Sequence, residues 1–197
     1  MLLFLTGHLA GNLQLLIPES YGAQQKFNDY AYFMSTNPFV KILSITTYIS
    51  IILHVIVTIA LTISSRRKRP INYKSVASTT NTTSSKYMGI LGTVILAFII
   101  VHLSNFWYKA KFEGETDIYF LVVSKFQNIE YVIIYVIAMV AIFFHVLHGF
   151  SSGFQSLGLI TSRTRKYFQI IGMLYALLIP VLFAIIPIYL YFGLHLR

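Results

Sequence analysis

An all-α bundle of five transmembrane helices is the fold this sequence predicts, and three observations predict it. The 197 residues are 56% hydrophobic and 11% charged, with a mean hydropathy of +0.71, whereas soluble domains carry about 25% charged residues. Five long apolar stretches contain no Asp, Glu or Arg. Basic and acidic residues fall in different loops. So apolar a chain has lipid as its natural solvent.

A helix needs roughly 20 mainly apolar residues to cross the hydrocarbon core. The stretches that qualify, or nearly so, are Met1–Ile17, Phe39–Ile63, Met88–Trp107, Tyr131–Phe154 and Phe168–Tyr191. Lys41, near the outer end of the second, is their only Lys. The first is short. It has no basic lead-in and no small-residue cleavage site, so it reads as a genuine span rather than a signal peptide, either clipped or started from an internal Met. Connections are compact, and only Ser75–Ser85 has the composition of a flexible linker. Asn81-Thr82-Thr83 matches a glycosylation sequon, a pattern common by chance.

Orientation follows from the basic residues. Arg66, Arg67, Lys68, Arg69, Lys74 and Lys86 follow the second span, and Arg163, Arg165 and Lys166 follow the fourth. All six acids (Glu19, Asp29, Glu113, Glu115, Asp117 and Glu130) lie in the other two loops or at their edge. The N-terminus is therefore expected in the cytoplasm and the C-terminus outside. Phe106-Trp107-Tyr108 and Tyr189/Tyr191 suit interfacial anchors. The net charge of +9 is then topological charge that meets anionic lipid or an acidic partner, with no nucleic-acid role. The absence of cysteine excludes disulfides, thiolate metal sites, iron–sulfur clusters and cysteine nucleophiles.

Histidine carries the chemistry. His8, His54, His102, His145 and His148 lie inside the first four spans, while His195 sits near the C-terminus and is assigned no role. An ionisable side chain at membrane depth is costly and marks function by default. A single one is often satisfied by hydrogen bonding to a neighbouring helix, but one in each of four successive helices asks for more. A proton relay alternates His with Asp or Glu, and zinc transport favours carboxylates or thiolates beside the His; these spans hold neither. Bis-histidine haem ligation needs two neutral imidazoles from facing helices, and its large apolar macrocycle fills a bundle core.

Depth suggests the pairing. His54 and His145 each lie roughly 14 Å from the inner ends of their spans, at about 1.5 Å per residue. His102 is roughly 7 Å from the outer end of the third span, which leaves His8 as its partner, partly by elimination. Gly7 and Gly11 flank His8, and Gly149 and Gly153 follow His145 at i+4 and i+8, where small residues admit a flat ring or another helix. Thr47, Ser50 and Thr58 form a polar stripe around His54, and these hydroxyls or backbone carbonyls are the expected acceptors for ligand N–H groups. Arg66–Arg69 suit haem propionates or a solvated positive-inside cluster equally. His148, three positions after His145, is an alternative ligand or a propionate or quinone contact.

The segments Gly7–Leu15 (GHLAGNLQL), Phe27–Pro38 (FNDYAYFMSTNP), Met88–Thr93 (MGILGT), His102–Tyr108 (HLSNFWY) and Phe144–Gly158 (FHVLHGFSSGFQSLG), with a His in each of the first four spans, resemble the diheme cytochrome b membrane anchor of bacterial succinate dehydrogenase/fumarate reductase, in its single-subunit form from menaquinone-using bacteria. The resemblance implies a distal haem b on His8 and His102, and a proximal haem b on His54 and His145. It also implies a flavoprotein and an iron–sulfur subunit on the cytoplasmic side, menaquinone as substrate, and a place in the bacterial cytoplasmic membrane. In such an enzyme complex this chain would be the subunit that does not bind the dicarboxylate. Glu19, Asp29 and Glu113 are outer-side candidates for a quinone-site carboxylate. The sequence departs from the family at its N-terminus, where members have a basic lead-in and a fuller first helix. The rival readings are a cytochrome b subunit of another respiratory dehydrogenase or hydrogenase, and a haem-free multipass transporter. The last is disfavoured because no internal repeat is visible.

Overall fold

The computed structural model describes residues 1–67 and 83–194. Lys68, Arg69, Lys74, the linker positions 75–82, Asn81 and Thr82 of the sequon, and His195 lie outside the described residues, as do the side chains of Arg66 and Lys86. Among the described residues every regular element is helical.

Four helices are long and apolar enough to cross a membrane, over Pro38–Ser64, Tyr87–Phe112, Ile129–Ser156 and Arg165–Tyr191. They contain the second to fifth expected spans and overrun them by a few residues, because helix propagates past the apolar window until a cap stops it. The first stretch is a shorter apolar helix. Its α1 (Leu2–Asn12) tightens into a 3₁₀ turn at Leu13–Leu16. The multi-pass architecture thus rests on four full-length helices and one short one.

The loops are more structured than their composition suggests. Helix α2 (Ala23–Thr36) fills the first connection. A single residue, Asn37, then joins it to α3 (Pro38–Arg67). Asn37 Oδ1 accepts from the Phe39 and Val40 N–H groups at 2.9 and 3.3 Å, and proline at the first helical position lacks the N–H that would go unpaired there. Helix α4 (Thr83–His102) begins inside the segment read as a linker, so Thr83–Ser85 are helical. It passes through a π-helical turn, Leu103–Trp107, into α5 (Tyr108–Phe112). Then come α6 (Ile118–Lys125), α7 (Ile129–Ser156) and α8 (Arg165–Tyr191). Helix α8 runs unbroken through Pro180 and Pro187, both buried.

The first connection, the third connection and the C-terminal end of α8 meet at one end of the bundle. Gln24 and Asn28 of α2 donate to Asp117 at 2.7 and 2.9 Å. The Tyr119 N–H donates to Asn28 Oδ1 at 2.9 Å, and Gln127 reaches the Leu190 carbonyl at 3.1 Å. Four of the six acids belong to these two connections, with Glu113 and Glu130 at the helix ends beside them.

The well-buried core lies toward the same end. Leu9, Leu15, Phe27, Tyr119, Phe126, Tyr135, Ile186 and Leu190 form its centre. Helices α7 and α8 pack along each other, and the missing side chain of Gly172 on α8 admits the Phe150 ring of α7, the close-approach chemistry of membrane helix pairs. Helix α3 instead exposes a long apolar surface, including Ile45, Ile49, Ile52, Ile56 and Ile59. That is appropriate to a helix facing lipid.

Candidate functional site

The five candidate histidines come from α1, α3, α4 and α7. His8 and His102 face each other with ring centroids 5.8 Å apart and planes at 84°. His54 and His145 do so at 6.0 Å and 86°. His148 lies one turn along α7 from His145, half-buried and within electrostatic reach of it. It is the His145 ring that meets His54 at this distance.

The two pairs differ in surroundings. Around the first pair stands an aromatic wall. Phe4 stacks on His8 at 5.7 Å, Phe183 tilts against it at 5.7 Å, and Phe98 and Phe106 approach His102 at 5.7 and 5.4 Å. Tyr135 Oη lies 3.3 Å from His102 Nδ1. Asn12, one helical turn after His8, donates to the His8 carbonyl at 2.7 Å. Its Nδ2 also lies 3.4 and 3.5 Å from the two ring nitrogens of His8. In the second pair His54 is exposed and His145 half-buried, and His145 Nδ1 is buried with no hydrogen-bond partner among the described residues.

Glycines shape the space beside the rings. Gly92 of α4 turns its missing side chain toward His145 Cε1, 4.0 Å from where a Cβ would stand. A Cβ on Gly7, Gly89, Gly149 or Gly153 would meet nothing within 4 Å. Gly11 is different, because a Cβ there would overlap the Tyr30 ring. Tyr30 crosses that face of α1 and donates from its hydroxyl to the Gly7 carbonyl at 2.8 Å. Of the two purposes open to small residues on α1, helix packing therefore wins at Gly11.

The hydroxyl stripe on α3 bonds to its own helix. Thr47, Ser50 and Thr58 donate to carbonyls four residues back, at 2.8, 2.7 and 2.8 Å, Thr58 to that of His54 itself. Such back-bonding satisfies an O–H at membrane depth without a partner helix. None of these groups touches a histidine ring among the described hydrogen bonds, so the expected acceptors are not found in the stripe. The hydroxyl that meets His102 is that of Tyr135, which the sequence analysis did not single out. It sits four residues inside the N-terminal end of its expected span, about 6 Å in from that end. That is close to the depth of His102, and this signal was available.

The donor set tests whether haem suits these residues. A metal held between two opposed imidazole nitrogens at about 2.0–2.1 Å, with each ring centre roughly 1.1 Å behind its nitrogen, separates the centroids by about 6.3 Å. The two pairs stand at 5.8 and 6.0 Å. Edge-to-face ring packing occupies the same range. Two imidazoles leave a tetrahedral or octahedral ion short of donors, and the spans hold no thiolate and no carboxylate but Glu130, fifteen residues from His145 at the start of α7. A macrocycle brings its own equatorial nitrogens. The residues fit the group.

Glu19, Asp29 and Glu113 all lie at the end of the bundle where α2 and α6 meet, each in the first connection or at the edge of the third. Searched against protein-family models, curated proteins and solved structures, the chain matches none. The functional reading therefore rests on the residues and their geometry.

Proposed function

We propose that the chain is the haem-binding membrane anchor of a respiratory succinate:menaquinone oxidoreductase or fumarate reductase. It passes electrons between an iron–sulfur subunit and quinone. The observation that carries this reading is the pair of facing imidazoles repeated twice in one bundle, at 5.8 and 6.0 Å.

His54 and His145 hold the proximal haem b, and His8 and His102 the distal one. Each bound haem supplies a reversible one-electron carrier. The chain does the rest. Four helices present neutral imidazoles from opposite sides, and Phe4, Phe98, Phe106 and Phe183 keep water from the His8–His102 pair. The glycine face of α7 leaves flat space beside His145. With α1 counted as a fifth crossing, the N-terminus and the basic connections face the cytoplasm, where they suit docking of the flavoprotein and iron–sulfur subunits. The acid-bearing end then faces outward, in the bacterial cytoplasmic membrane. His148, one turn from His145, is assigned to a propionate or a quinone.

The test is a reduced-minus-oxidised optical spectrum of purified chain with haem quantified per polypeptide. Two low-spin b haems are expected. Colourless protein after haem-replete expression overturns the proposal. Co-purified subunits separate this enzyme from a hydrogenase or formate dehydrogenase anchor.

A further inference from the structure

The ring nitrogen of His102 reaches a hydroxyl on another helix, Tyr135 Oη of α7, at 3.3 Å. Tyr135 is buried, and the rings of Phe98, Phe106 and Phe126 enclose it at 4.9, 6.2 and 4.9 Å. Beside the same hydroxyl lies the carboxamide of Asn105, on the π-helical turn that follows His102. Asn105 is 8% exposed, and its Nδ2 has no hydrogen-bond partner among the described residues. π-Helical turns concentrate at functional sites, and a buried polar residue with an unpaired donor calls for a physical reason.

Hydrogen-bond bookkeeping supplies one. A neutral imidazole carries one N–H and one lone pair. If Nδ1–H donates to Tyr135 Oη, the lone pair sits on Nε2, the nitrogen then free to bind a metal. The Tyr135 O–H in turn needs an acceptor inside an apolar box. The amide of Asn105 beside it can present either end, and flipped from N–H to Oδ1 it accepts that O–H. We propose that Tyr135, held by Asn105 from the π-helical turn, is a positioning residue for His102: it fixes the Nδ1–H tautomer and strengthens Nε2 as a donor. The inference rests on the haem reading above. An N–H donated to an acceptor makes the imidazole more electron-rich and favours the oxidised metal. His145 has no such partner for Nδ1 among the described residues, so the two sites are unequal by construction.

The experiment is a potentiometric titration of the purified, haem-loaded chain with Tyr135→Phe, which keeps the aromatic box and removes only the hydroxyl. Haem per chain is measured alongside. The expected result is two haems retained, one midpoint potential shifted upward and the other unmoved. Asn105→Leu shifts the same midpoint in the same direction by a smaller amount, and it carries the test should Tyr135→Phe cost that haem altogether. Two bound haems with both midpoints unmoved, or with both moved equally, overturn the positioning role and leave the haem reading standing. Parent protein without haem overturns both.

Discussion

His54 on α3 and His145 on α7 meet with ring centroids 6.0 Å apart and planes nearly perpendicular, although 91 positions of sequence separate them. His8 and His102 repeat the relationship at 5.8 Å. Two such encounters divide the four helices into two independent pairs, and that division is directly testable.

Replacing any one of the four by alanine is expected to lower haem content from two per chain to one. A double variant within a pair, such as His54→Ala with His145→Ala, should lose no more than either single change. A double variant across pairs, such as His54→Ala with His102→Ala, should lose both. Haem assays on purified chains, with spectra to identify the surviving site, check the pattern. Retention of two low-spin haems in His54→Ala would remove that residue from the ligand set.

Gly149 lies one turn beyond His145, with nothing within 4 Å of its absent Cβ. The first carbon of a side chain there therefore meets no described protein atom, and for Gly149→Leu helical content by circular dichroism should be unchanged. Haem at the His54–His145 site should fall while the other site stays filled. Undiminished haem would mean that the space beside Gly149 serves some other end.

Gly11→Ala places a methyl group where the Tyr30 ring stands, and overpacking of this kind costs about 1–3 kcal/mol. Tyr30→Phe removes the 2.8 Å bond to the Gly7 carbonyl at a smaller cost of about 0.5–1.5 kcal/mol. Combining Gly11→Ala with Tyr30→Ala should cost less than the sum of the single changes, because the second relieves the clash made by the first. Unfolding titrations in detergent of the parent, Gly11→Ala, Tyr30→Ala and their double close that cycle, with Tyr30→Phe measured beside them.

Asp117 caps α6 by accepting from the Phe120 N–H at 3.0 Å, and takes further bonds from Asn28 and Gln24. Partial burial pushes its carboxyl upward, but the three hydrogen bonds together outweigh burial and hold it below the ordinary carboxylate value. A group whose folded pKa is depressed stabilises the fold fully above its unfolded value, about pH 4. That contribution is lost as pH falls through the lower folded value. Hydrogen exchange should therefore show α2 and α6 loosening together in acid. Asp117→Asn should weaken that dependence, and exchange equally steep in the variant would assign the acid response elsewhere.

Much of the architecture was legible in the sequence because lipid imposes a simple rule. A backbone that finds no water must close its own hydrogen bonds, so long apolar stretches free of acids read directly as helices. The four long helices sit where hydropathy placed them. Their ends did not follow hydropathy, since caps such as Asn37 and Asn128 decide where a helix begins. Helix α2 was hidden for a related reason: its polar sequence carries no membrane signal, and its place is set by contacts with Asp117 and α1.

For the histidines, counting residues along each span fixed depth, and depth alone proposed which rings stand at the same height. Rotation about each helix axis, and the distances between axes, are properties of packing. Only the tertiary structure could decide that the His145 ring meets His54 at 6.0 Å, that Tyr30 fills the groove at Gly11, and that a hydroxyl from α7 reaches His102. Hydropathy is a property of one helix in lipid, whereas a contact belongs to two helices together, and no single stretch of sequence contains both.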